Sequence, residues 1–280
     1  MRIITDSAAD FSQKELRQYQ VVCVDTSVMI HDRPCGIGRD LSVEQFWQYV
    51  LAGEAVKTSQ PAPERFLHVF QNAIHEGEEA VCITVSSGVS GTIQSAKIAA
   101  DMMENDGVRI VDSLNGTAGQ KLLVMYACRL RDEGVANIDE LVGKLQALRK
   151  RIRLFASLDT LENLARSGRI PKALASLGTL AQLKPLLTVN EEGRIVLCGK
   201  AFGKHRAVDS LAKRIAGMKI DRDYPMIPFF SYDKGNCQSL IGKLKRLGIS
   251  MDEALLSAIG PSIGGHIGPN AYGVAFVEAE

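Results

Sequence analysis

Apolar and polar positions along the first half of the chain alternate between two periods. Short apolar runs at residues 2–5, 21–29, 81–85 and 108–111 read as strands. Between them, apolar residues recur at helical spacing over 11–19, 42–51, 63–76, 120–132 and 138–150. Ser42 and Gln45 make a capping box, Asp6-Ser7 offers capping oxygens after the first strand, and Phe66, Val69, Phe70 and Ile74 share one face. Strand, helix, strand at this rhythm predicts parallel pairing with right-handed crossovers.

Beyond residue 152 the texture changes. A strand at 153–158 precedes a helical 160–166, the tetrapeptide SGRI and an apolar stretch at 173–187. Strands at 186–189 and 194–198 flank Asn190-Glu191-Glu192-Gly193, a hairpin turn. Helices at 206–218 and 235–247 alternate with strands at 226–232 and 254–259, and a glycine-rich loop leads into a last strand at 273–277. The expected fold is α/β: an N-terminal domain over 1–155 with a mainly parallel sheet, a C-terminal α/β domain over 156–280, and a cleft between them. No repeat or low-complexity linker separates the two.

Composition narrows the classes. At 280 residues, 46% hydrophobic and 23% charged, the chain reads as an ordinary soluble globular protein. A net charge of +1 gives no electrostatic case for nucleic acid or an anionic membrane as the main partner. The six cysteines are scattered without a CxxC pair, which suits a reducing, cytoplasmic setting. No apolar run approaches the roughly 20 residues of a spanning helix, and the N-terminus reaches acidic residues too early for a signal peptide.

Chemistry concentrates where the strand at 81–85 runs into Ser86-Ser87-Gly88-Val89-Ser90-Gly91-Thr92 and then a helix on which Ile93, Ala96, Ala100 and Met103 recur. Backbone N–H groups at a helix start attract anions, hydroxyls add donors, and glycine permits close approach. One capping oxygen accounts for one hydroxyl, not for four hydroxyl residues and two glycines in seven positions. A nucleophile elbow needs a second glycine where Thr92 stands, yet Ser90, Asp112 and His266 follow the chain order of a serine hydrolase acting on acyl esters. No lysine follows the glycines, so a Walker-type loop is excluded. Lys57-Thr58-Ser59-Gln60-Pro61 resembles turn or cap chemistry, Asp112-Ser113 ends a strand, and His266 sits among glycines that would present it on an approachable loop. Histidines and carboxylates lack metal-ligand spacing, so neither metal nor cofactor is expected.

TSQP at 58–61, SSGVSGT at 86–92, VDS at 111–113, SGRI at 167–170 and GGHIGP at 264–269, after ITDS at 4–7, together resemble the DegV family of bacterial proteins. The likeness spans nearly the whole chain in order. It implies kinship with the FakB proteins, which hold a fatty acid in a tunnel between two α/β domains. Those proteins present the acid to a FakA-type kinase that makes acyl-phosphate for phospholipid synthesis. By this resemblance Thr58 and Ser90 bond the carboxylate, Gly91 lends its N–H, and His266 lies beside it, with Ser59 and Thr92 completing the ligand-binding set. Residues 173–187 are expected to contribute to the tunnel wall. Two departures stand out: Ile267 and Asn270 in a loop that usually reads H-T-G-P-G, and Phe202 within an otherwise basic kinase-facing run of Lys200, Lys204 and Arg206. An anion sensor using the same loop for another ligand is the remaining alternative.

Overall fold

The computed structural model describes residues 1–31, 33–36, 41–54, 56–103, 106–175 and 182–280. The first sheet runs β2 (Val21–Val24), β1 (Arg2–Asp6), β6 (Ala80–Thr84), β7 (Val108–Asp112), every pair parallel. Its strands are nearly continuous apolar runs because both faces are covered. On one face Ile4 and Cys82 pack against α3 (Pro63–His75) and α4 (Thr92–Asp101). On the other, Ile3, Val81 and Ile83 meet α5 (Thr117–Asp132) and α6 (Ile138–Arg149). Helix α1 (Gln13–Tyr19) is capped by a Ser12/Glu15 box, and α2 (Val43–Leu51) by the expected Ser42/Gln45 box. Helix α2 rests on a small antiparallel sheet, β4 (Arg33–Cys35), β3 (Ser27–Ile30), β5 (Val56–Ser59).

The second sheet takes its strands in the order β10 (Ile195–Phe202), β9 (Leu183–Val189), β8 (Ile152–Ser157), β13 (Tyr272–Val277), β11 (Ile227–Phe230), β12 (Ser257–Ala258). All its pairs are antiparallel except β11 with β12. Side chains alternate between its faces. Phe155, Leu186, Val274 and Phe276 pack under α9 (Lys204–Ala216) and α10 (Gly235–Arg246). Leu154, Ala156, Leu187 and Phe229 turn the other way, into the same core as Ile3 and Val81. Helix α5 lies between the sheets and is buried on nearly every side. Three short helices, α7 (Glu162–Arg166), α8 (Lys172–Ala175) and α11 (Pro261–Ile267), complete the fold.

Most expected elements are present with ends shifted by up to four residues, and four others differ for physical reasons. The run at 21–29 divides into β2 and β3, which belong to different sheets. Residues 254–259 hold a 3-10 turn and the two-residue β12. TSQP is not a turn before a helix: Thr58 and Ser59 end β5. The glycine-rich segment is not a loop but α11, with Pro261 at the first helical position. Its glycines serve close packing, since a Cβ on Gly264 would lie 2.9 Å from the Trp47 ring. Of the apolar stretch at 173–187, positions 176–181 lie outside the described residues.

The junction between the sheets carries two buried acids. Asp6 accepts from Ala8 N at 2.9 Å and from Val85 N at 2.7 Å. Asp10 is held at φ 54 and its Oδ1 accepts from Gly260 N at 2.8 Å. Burial pushes Asp6 up to about 6 and Asp10 up to about 7. Nearby Lys121 donates to Asp10 O and Ser257 Oγ, each at 3.1 Å, and pairs with Glu15 at 2.7 Å. Unfolded aspartates titrate near pH 3.9, so the folded chain holds extra protons between about pH 4 and 7. That contribution to stability therefore falls as pH rises through this window. Asp10→Asn keeps the acceptor and the left-handed backbone, both of which asparagine tolerates. Urea unfolding of the variant is expected to show a shallower decline with pH than the parent; an unchanged slope would place the protons elsewhere.

Candidate functional site

The turns that follow β6 and β7 meet the second sheet through Ser86 and Leu114 against Gly193, at the strand ends where open α/β sheets hold ligands. Two adjoining chambers lie there, with lining side chains in common. An apolar one of about 670 Å³ and a polar one of about 540 Å³ share Val85, Val89, Leu164, Ile195, Ile263 and Ile267 as a neck.

The polar chamber gathers Thr58, Ser59, Ser90 and His266, which stand on β5, on the loop after β6 and on α11. Thr58 Oγ1 and His266 Nε2 are 2.6 Å apart, and His266 Nδ1 is buried without a partner. Burial, with the charge of Arg169 adding to it, lowers His266 to about 4, so its imidazole is neutral near pH 7. Ser90 Oγ lies 2.9 Å from Thr92 Oγ1 and accepts from Thr92 N at 3.3 Å. Helix α4 starts at Thr92 with Gly91 as a cap that supplies no side-chain bond, and no acid occupies its first turn. Its positive end, beside Ser90, therefore has no acid of its own first turn to neutralise it.

Gly91 and Thr92 do not line the chamber themselves. Thr92 is fully buried and supports Ser90, while a Cβ on Gly91 would collide with Gln60 Oε1. The loop is set from behind by Ser87 N, which donates to both Asp112 oxygens at 3.3 Å, and by Ser86 Oγ, which donates to Gly193 O at 2.8 Å. Asp112 also accepts from Leu114 N at 2.9 Å. The hydrolase alternative requires Asp112 against His266 Nδ1; instead Asp112 is spent on these N–H groups and Nδ1 has no partner. The Ser90–His266–Asp112 triad is not assembled.

Tertiary structure adds residues that sequence reasoning did not assign. Arg169, from the SGRI motif, lines the polar chamber as its one ionised side chain among the described residues. Its Nε donates to Val89 O at 3.3 Å and its Nη1 to Ser167 O at 2.6 Å, and burial lowers its pKa. Thr26 and Ser262 line the opposite wall, 2.6 Å apart, and both bond Ser7. Gln60, within TSQP, also faces the chamber and donates to Ser95 Oγ at 3.0 Å. Ile267 sits in the neck. Asn270 lines neither chamber but occupies φ 61, a backbone that favours the glycine it replaces and that asparagine accepts.

The apolar chamber exposes almost no polar surface. Leu187, from the described part of 173–187, lines it and stands beside Ala156 on the same sheet face. Among the described residues no group of three His, Cys, Asp or Glu side chains gathers as a metal site, and no helix is long and apolar enough to cross a membrane.

The DegV family model matches residues 1–279. A DegV domain-containing protein of Caldanaerobacter subterraneus is 30% identical over 99% of this chain and 98% of its own. Among solved structures, a fatty-acid-binding DegV family protein from Thermus thermophilus matches at 32% identity and TM-score 0.87, covering all of both chains. A stearic-acid-binding protein from Eubacterium ventriosum matches at 25% identity and TM-score 0.86, over 99% of this chain and 98% of its own.

The depressed His266 pKa has a direct consequence. Its stabilising contribution is complete above about pH 6.5 and drains as pH falls towards 4. Long-range nitrogen NMR of the ligand-free protein is expected to show a neutral ring throughout titration from about pH 7.5 down to 5.5. A midpoint inside that range would mean the ring is far more hydrated than its burial indicates.

Proposed function

This chain belongs to the DegV family, and on that footing we propose that it holds a long-chain fatty acid, carboxylate in the polar chamber and acyl chain in the apolar one. The observation that carries the reading is the adjacency of the two: hydroxyls and a neutral histidine lie against a cavity with almost no polar surface, and six apolar side chains are common to both. Thr58, Ser90 and His266 form the clamp, with Ser59 beside them. Gly91 and Thr92 act by shaping the Ser90 turn.

The two ends divide the work. Burying roughly fifteen methylenes at about 0.8 kcal/mol each contributes about 12 kcal/mol before ordering costs. The clamp adds less affinity but decides orientation, because the apolar chamber exposes almost no polar surface to a carboxylate. A carrier role needs no catalytic triad, in keeping with the separation of Asp112 from His266.

Presentation of the carboxylate to a FakA-type kinase is the finer part of this reading. Lys200, Lys204 and Arg206 surround Phe202, which is 51% exposed at the end of β10. That surface could meet an acidic partner face, with Phe202 as an apolar anchor. Acyl-phosphate formation by such a kinase and ATP is the corresponding assay, and Phe202→Ala is expected to slow it without changing acid binding.

Organic extraction of the purified protein followed by mass spectrometry is expected to release a stoichiometric long-chain acid. Ser90→Ala is expected to weaken acid binding about tenfold, the worth of one bond to a charged group, without unfolding the chain. An empty protein that turns over p-nitrophenyl esters through Ser90 would sink the carrier reading.

A further inference from the structure

The second sheet carries one row of paired residues of which Leu187, Ala156 and Phe229 line the apolar chamber. Leu197 stands opposite Leu187, Leu187 opposite Ala156, Ala156 opposite Gly273, and Gly273 opposite Phe229. Paired residues on adjacent strands share a face. The row thus sets the small Ala156 between the larger Leu187 and Phe229, while Gly273 gives the Phe229 ring room to lean in, which leaves a trough over Ala156.

The trough has a direction. Ile195, at the β10 side, belongs to the neck shared with the polar chamber. Phe229, on β11, lines only the apolar chamber and is 1% exposed. From β10 to β11 are four strand spacings, about 19 Å, comparable to the reach of an extended long-chain acid. The Phe229 ring also leans over Gly273, since a Cβ built there would lie 2.5 Å from Phe229 Cζ. The space left by the glycine is closed by the aromatic ring and not left open to the next strand.

Resting on the fatty-acid reading above, we propose that Phe229 is the end stop of the acyl chamber and sets the upper limit of chain length. An acid entering past Ile195 crosses the trough over Ala156 and meets the Phe229 ring with its terminal methyl. Nothing polar is needed at that end. Selection works through volume alone: each further methylene has to displace a fully buried ring.

Delipidated protein is equilibrated with an equimolar set of saturated acids from myristic to arachidic, and the retained acids are quantified by mass spectrometry. Phe229→Ala is expected to raise the ratio of arachidic to stearic acid roughly tenfold, the gain from burying two more methylenes. Phe229→Leu is expected to move it the same way by less, and serves if the alanine variant fails to fold. Phe155→Leu, at the neighbouring position on the opposite face of the sheet, is expected to lower stability and leave the ratio unchanged. Ser90→Ala is expected to weaken all chain lengths alike. A parent protein that retains acids while both Phe229 variants keep its ratio overturns the end-stop assignment alone. A parent protein that retains no acid overturns the fatty-acid reading and this inference with it.

Discussion

The Asp6 carboxylate is the joint on which the site depends. It sits at the end of β1, yet one oxygen holds the N–H of Val85, the residue that leaves β6 for the Ser86–Thr92 turn. The other holds Ala8 and starts the 3-10 turn that leads to Asp10. A buried carboxylate is costly, and its raised pKa records that cost. Two backbone donors at short range offset it, because leaving either N–H unbonded at this depth would itself cost about 1–3 kcal/mol. The consequence is positional. The turn that carries Ser90 leaves the sheet at one angle, and Ser7, next in sequence, is brought to Thr26 and Ser262 across the polar chamber.

A second restraint closes the turn from the other sheet. Ser86 Oγ donates to Gly193 O at the tip of the β9–β10 hairpin, and a Cβ on Gly88 would lie 2.6 Å from that same oxygen. Gly193 itself needs φ 72, and a Cβ there would strike Ser86. Two glycines therefore let a hairpin of the second sheet rest directly on a turn of the first. That contact lets Val89 and Ile195 share the neck between the chambers. Polarity then changes sharply across the neck, from a hydroxyl-lined wall to a sheet face of leucine, alanine and phenylalanine. Amphipathic ligands suit such a boundary because each end loses free energy on the wrong side.

Within this frame His266 and Arg169 have different parts. His266 is neutral and its Nε2 is already engaged by Thr58, which leaves Nδ1 as the atom without a partner. Arg169 brings the chamber's positive charge but is braced by carbonyls of Val89 and Ser167. A neutral imidazole and a carbonyl-braced guanidinium thus share one chamber.

Local signals in the chain were enough for much of this. Periodicity located the parallel first sheet and its helices, the Ser42/Gln45 box marked α2, and Asn190–Gly193 marked the β9–β10 turn. Hydroxyl and glycine density singled out Ser86–Thr92, and the ordered motifs joined it to Thr58 and His266. These features are local: a capping box, a hairpin turn or an apolar period is written within a few residues. What only the tertiary structure decided was non-local. The run at 21–29 looks continuous, but only its pairing partners divide it between two sheets. The glycines around His266 suggest a loop until Trp47 is seen packed against Gly264, which makes α11 the better way to bury them. Arg169, Thr26 and Ser262 become site residues because distant segments bring them to one cavity. The Ser90–Asp112–His266 order, plausible along the chain, fails for the same reason: strand register commits Asp112 to the turn it supports, away from the histidine. Sequence determined which chemistry was available, and packing determined which of it meets.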